Sequence, residues 1–204
     1  MGTLFVDKLD PQSGTALEIG SSGDTITIPS GATIANSGTA TGFGGGKINQ
    51  VVQTVKTDTF SSTSTSDFDI TGMSVAITPS ASNSKILVLG TLNFTTSDYQ
   101  QGTWISLVRD STQIFRGDAA GSRRRAMFGF EDGGSNENEQ RYRVLPSAFQ
   151  FLDSPSTTSA TTYKLTAINL SGSYTFYVNR TSSDSDNANY GRVPSSITAI
   201  EVLA

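Results

Sequence analysis

The run Lys85-Ile86-Leu87-Val88-Leu89-Gly90-Thr91-Leu92-Asn93-Phe94 carries the strongest periodicity in the chain. Side chains alternate across a strand, so Ile86, Val88, Leu92 and Phe94 share one face with Gly90 between them, and Leu87 and Leu89 share the other. Apolar residues on both faces of its first half predict a central strand buried on both sides. The segments around it repeat the signal. Residues 103–109 and 112–116 flank Asp110-Ser111, a two-residue hairpin. Residues 47–56 (Ile48, Val51, Val52, Val55), 67–70, 73–78 closed by Pro79, 124–130, 141–152, 162–170, 173–179 and 196–203 complete nine or ten expected strands, and no stretch reads as a helix. Short strands at this spacing predict an all-β fold, a β-sandwich of jelly-roll type. The last of them, Ile197-Thr198-Ala199-Ile200-Glu201-Val202-Leu203, is still apolar at the end of the chain, and such a strand is expected in the middle of a sheet or at a subunit interface.

Residues 1–46 read differently. Leu17-Glu18-Ile19-Gly20, Thr25-Ile26-Thr27-Ile28 and Ala32-Thr33-Ile34-Ala35 are brief apolar alternations separated by turns, and Gly42-Phe43-Gly44-Gly45-Gly46 closes the series as a hinge. With residues 3–8, they make a series of short expected strands. Two or three apolar residues per strand do not offset the entropy of ordering the rest, so such a segment is either disordered or folded by pairing with identical chains around an axis. Two domains are therefore expected, residues 1–46 and residues 47–204.

Composition removes whole classes of chemistry. With no Cys and no His, the 204-residue chain has no disulfide, thiol nucleophile, zinc–cysteine site, imidazole base or serine triad. The net charge of −4 argues against a nucleic-acid partner, and no apolar run is long enough to insert into a membrane. Charged residues are only 16% of the chain against the usual ~25%, with 29 Ser and 27 Thr in their place, which suits hydroxyl-bearing outer strand faces. No signal peptide is evident, and Val6 stands where a myristoylation signal needs Ser or Thr, so synthesis in the cytoplasm is expected.

The remaining motifs each have a plain reading. Gly42–Lys47 departs from a phosphate loop, with Thr41 for the first glycine and Ile48 for the magnesium-binding hydroxyl, so it reads as a hinge. Asp184-Ser185-Asp186-Asn187-Ala188-Asn189 begins like a calcium loop but lacks the acidic residue and the glycine at 188 and 189, and reads as a solvated loop. Glu131, Asp132, Glu137 and Glu139 lie beside Arg123-Arg124-Arg125, Arg141 and Arg143, either as a hairpin tied by ion pairs or as a tip loop that meets a charged glycan or protein. Trp104, the sole Trp, reads as core or interface, with stacking on a sugar ring as its other reading. Asn93, Asn169 and Asn179 begin glycosylation sequons of the kind expected by chance in a chain this rich in Ser and Thr. Carboxylate pairs alone can run a glycosidase, but nothing in the sequence sets two of them on one rigid face, so no enzyme, cofactor or metal is expected.

Gly2-Thr3-Leu4-Phe5-Val6-Asp7-Lys8-Leu9-Asp10-Pro11-Gln12-Ser13-Gly14, with the phrase from Ile19 to Ile34, resembles the N-termini of tail-fibre-like structural proteins of marine bacteriophages, those of cyanobacterial phages in particular. The resemblance covers residues 2–46; beyond it the strand spacing is similar to compact jelly-roll tip domains only in pattern. It implies a homotrimeric fibre of the virion tail, attached through residues 1–46 to tail proteins of adaptor or nozzle type, with a distal β domain that meets host surface polysaccharide or protein. Loops 99–102, 131–140 and 182–190 are the expected exposed loops, with Tyr99, Gln101, Glu131, Asp132, Asn136, Asp184, Asp186 and Tyr190 as candidate receptor contacts. A capsid decoration or tail accessory protein and a carbohydrate-cleaving tip remain open alternatives.

Overall fold

The computed structural model describes residues 9, 11, 13–17, 19–35, 37–38, 47–97, 102–130 and 142–203. The chain divides into two compact units, Met1–Gly45 and Gly46–Ala204. The described residues are all-β. Among the described residues of the second unit there are eleven strands: β1 Ile48–Lys56, β2 Phe60–Ser62, β3 Phe68–Ile77, β4 Lys85–Thr96, β5 Thr103–Arg109, β6 Thr112–Ile114, β7 Phe128–Phe130, β8 Leu145–Asp153, β9 Thr161–Asn169, β10 Phe176–Val178 and β11 Ser195–Val202.

The strands make two antiparallel sheets. In the first, β4 is the axis: β8 pairs with it along one edge, and β11 and then β10 share the other, with β1 outside β11 and β2 outside β10. In the second the order is β3-β9-β5, and the far edge of β5 is shared by β6 and β7. From β3 to β5 and again from β8 to β10 the chain passes between sheets at each step, the path of a jelly-roll-like sandwich. The inward faces close one core, with Met73 and Ile77 of β3, Val88, Leu92 and Phe94 of β4, Leu107 of β5, Leu165 of β9, Phe176 of β10 and Ile197 of β11 buried. The apolar terminal strand β11 lies between β1 and β4, in the middle of a sheet.

The structure corrects the reading at several points. The inner face of β4 is buried, but Leu87 and Leu89 on its outer face are half-buried, because no further layer covers that sheet in the single chain. Residues 67–70 and 73–78 join into one strand, β3, whose register shifts between Asp69 and Ser74. Of 124–130 only Phe128–Phe130 is strand, and β2 was not foreseen. The Asp110-Ser111 hairpin is present, with Asp110 left-handed at φ 53° and Arg109 opposite Thr112.

Polar ties join the layers. Asp153 of β8 is buried and accepts from Arg109 Nη1 of β5 at 2.8 Å and from the Tyr163 hydroxyl of β9 at 2.7 Å, binding the two sheets together. Asn179 is buried, donates to the carbonyls of Lys56 and Asp58 and accepts from Ser195 Oγ, so it stitches three segments together. The sequon residues Asn93, Asn169 and Asn179 all have their side-chain amides donated to backbone carbonyls.

In the first unit, the expected strands at 25–28 and 32–35 form no ladder within one chain, since a ladder needs a second strand; residues 3–8 and the hinge at 42–46 lie outside the described residues. What forms is a pair of similar turns. Asp24 N donates to Ser21 O at 3.0 Å and Ala32 N to Pro29 O at 3.1 Å, with Gly23 and Gly31 at φ 95° and 86° in the third position, which a type II turn reserves for a residue of positive φ. Leu17, Ile19, Ile26, Ile28 and Ile34 are exposed, Ile19 and Ile26 to 60%.

Candidate binding surface

On β5, Ile105 and Leu107 point into the core, so Trp104, Ser106 and Val108 face outward. Register sets Gly129 of β7 and Ile168 of β9 on either side of Trp104. A Cβ on Gly129 would stand 2.3 Å from the indole Cε3, so glycine is what lets the ring lie against that strand. Trp104 is half-buried, and its Nε1–H has no acceptor among the described residues. It therefore belongs to the outer face: of the two readings, core or interface, the core one is corrected.

Residues 115–126 connect β6 to β7 as an arch beside this face. Gly117 N donates to Ala126 O at 3.3 Å, Arg123 N closes a turn on Ala120 O at 3.2 Å, and Arg125 Nε donates to Gly117 O at 2.7 Å. The return limb of the arch thus carries Arg123, Arg124 and Arg125 side by side. Together with Arg116, Gln113, Asp67, Trp104 and Ser106 they line a hollow of about 320 Å³. Arg123–Arg125 and Trp104, noticed separately in the sequence, are brought together here. Arg116, Gln113 and Asp67 were missed, because only the strand register shows which residues share the face.

Of the candidate contacts, Asp184, Asp186 and Tyr190 line a second hollow of about 310 Å³. Asp184 is held there by Arg192 at 2.6 Å and Arg180 at 3.3 Å, which leaves it an ion-pair partner instead of a calcium ligand. Tyr190 stacks on Tyr142 at 5.3 Å between centroids. Tyr99, Gln101, Glu131, Asp132 and Asn136 lie outside the described residues. An apolar hollow of about 550 Å³ opens beside Phe115, Met127, Phe128 and Phe149.

The perturbed groups lie away from these hollows and serve the fold. Burial pushes the Glu201 carboxyl up, but hydrogen bonds from Asn49, Ser80 and Gln50 at 2.6–2.8 Å outweigh it and hold the group well below the usual carboxylate range. Burial, then the hydrogen bond to Asp153, raises the Tyr163 phenol far above its ordinary value, so it remains a donor. The hydrogen bond from Lys56 lowers Asp58. Among the described residues no three acidic side chains gather as a metal site.

No family model and no curated protein matches the chain. Among solved structures, it is similar to a mutant VP2 protein of infectious bursal disease virus in derived T=1 particles, at 17% identity and TM-score 0.38 over 76% of this chain and 36% of that one. A VP2 subviral particle of the same virus matches at 16% identity and TM-score 0.32, over 76% of this chain and 41% of the other. The chain spans well under half the length of either, and likeness of this degree carries no argument about function.

Proposed function

We propose that this chain is a structural protein of a phage virion, a short homotrimeric tail fibre. Residues 1–46 seat on tail proteins of adaptor or nozzle type, and the sandwich meets the host surface. The protein binds; it turns nothing over. The observation that carries this reading is the first unit. Its turns recur with the same hydrogen bond, yet Ile19, Ile26, Ile28 and Ile34 are exposed and no strand ladder forms among its described residues. A segment that presents apolar side chains and unpaired backbone at regular intervals is completed by further chains, and three copies around an axis supply both the ladder and the cover. The resemblance of residues 2–46 to phage tail-fibre N-termini supports the same assignment.

The outer face of the first sheet adds to it. Val51, Ile200, Leu87 and Leu152 stand opposite one another in register across β1, β11, β4 and β8, and the rows that follow, through Gln53, Thr198, Leu89 and Gln150, bear no charge. Lys85, opposite Val202, marks the charged rim of this face, and depletion of charge over the rows inside it is what marks the core of an interface.

The test is incorporation. Phage particles made without the full-length protein and supplied with the chain lacking residues 1–46 should remain bare, while the full chain restores them. If the shortened chain docks as well as the full one, residues 1–46 are not the attachment segment. If many copies bind the capsid instead of the tail, the protein is a decoration protein.

A further inference from the structure

We propose that the hollow between Trp104 and the arginine arch binds an acidic saccharide, a sugar ring that carries carboxylate or sulfate. The inference rests on the host-surface role proposed above for the source of the ligand, and on the hollow itself for its chemistry. Four of the chain's 14 basic residues, Arg116, Arg123, Arg124 and Arg125, line one space of about 320 Å³ in a protein of net charge −4. Arg109, Arg180 and Arg192 each meet a carboxylate at 2.6–3.3 Å, but none of these four forms an ion pair among the described residues. Asp67 lines the same hollow without reaching any of them at ion-pair distance. Gathered cations repel, and a guanidinium is built to take an oxyanion through two parallel hydrogen bonds.

Trp104 supplies the other half. Its indole is a flat apolar surface in a hollow lined, apart from Ala126 and Ile168, by polar and charged side chains, and a pyranose presents a matching apolar face when its hydroxyls point sideways. Asp67, Ser106 and Gln113 are placed to exchange hydrogen bonds with those hydroxyls. A single-stranded nucleic acid shares the anion and the stacking face, but it needs a groove that follows several phosphates, and this hollow has room for about one sugar residue.

Because Trp104 is the sole Trp, emission excited at the red edge, where the six Tyr do not absorb, reports on this site alone in the full-length protein. The titrants are an oligogalacturonate, a sulfated maltohexaose, neutral maltohexaose, inorganic sulfate and a ten-residue oligothymidylate. One or both acidic oligosaccharides should change the emission saturably, and which of them does so separates carboxylate from sulfate. Neutral maltohexaose should bind at least about tenfold more weakly, as should the R116A/R124A variant with its melting temperature unchanged. R116K/R124K should recover part of the affinity, since it keeps the charge and loses the fork. Inorganic sulfate binding as tightly as the acidic sugars would mean an adventitious ion only. A response to the oligothymidylate alone, or equal affinity for the neutral sugar, or no response to any titrant, would each overturn the proposal. A trimer that enters particles yet ignores acidic sugar fails this inference alone, whereas a monomer that still binds it fails the fibre reading alone.

Discussion

Gly90 sits mid-strand in β4, where glycine normally weakens a sheet, and its surroundings explain it. A Cβ there would stand 2.2 Å from the Ser196 carbonyl oxygen and 2.9 Å from the Phe149 ring. Backbone on one side and a packed ring on the other leave little room for relaxation. Gly90→Ala should therefore cost about 3 kcal/mol, read as a lower denaturant midpoint with an unchanged slope. Glu201 poses the opposite problem, a buried charge with no cation, answered by Asn49, Gln50 and Ser80. Its folded pKa is depressed, so its contribution is complete above the unfolded value of about 4.3 and is lost as pH falls below it. Glu201→Gln should destabilise the protein by about 2 kcal/mol at pH 7, and the deficit should shrink in denaturation curves taken below about pH 4. A deficit that is constant with pH would mean that the carboxylate charge is not what those donors hold. Neither role was legible beforehand: Gly90 read as a gap in an apolar run and Glu201 as a polar position in a terminal strand, because the atoms that constrain them lie on other strands.

Between elements, the tie from Asp153 to Arg109 and Tyr163 spans the two sheets at one end of the sandwich. Asp153→Ala leaves a guanidinium and a buried phenol without their shared acceptor and should cost about 3 kcal/mol, whereas Tyr163→Phe should cost only about 1 kcal/mol. Equal costs in urea denaturation would contradict the view that the carboxylate is the hub. Most of these elements were readable in the chain, because alternation survives wherever one face is buried: β1, β4, β5, β9 and β11 fall close to where their apolar periods predict. The failures have a common cause, the lack of a ladder visible in the chain. β2 has three residues and is held by pairing with β10, and residues 124–127, expected as the start of a strand, run in the arch and meet β5 only where Met127 N donates to Ile105 O at 3.0 Å. The arginine–tryptophan hollow was visible only as two separate signals, since Trp104, Gly129 and Ile168 become neighbours through register alone.

For the whole molecule, the sandwich and the first unit make different demands. Gly46–Ala204 closes its own core, so a chain of residues 47–204 should melt within a few degrees of the full-length sandwich transition in calorimetry. Among its described residues Met1–Gly45 has no such core and leaves its isoleucines exposed, which the proposed trimer would cover. The trimeric fibre is therefore tested most directly by the absolute mass of the purified full-length protein, from light scattering after size exclusion. The predicted value is three times 21.5 kDa for the full chain, falling when residues 1–46 are removed. A full-length protein that elutes as a 21.5 kDa monomer at every concentration would contradict it.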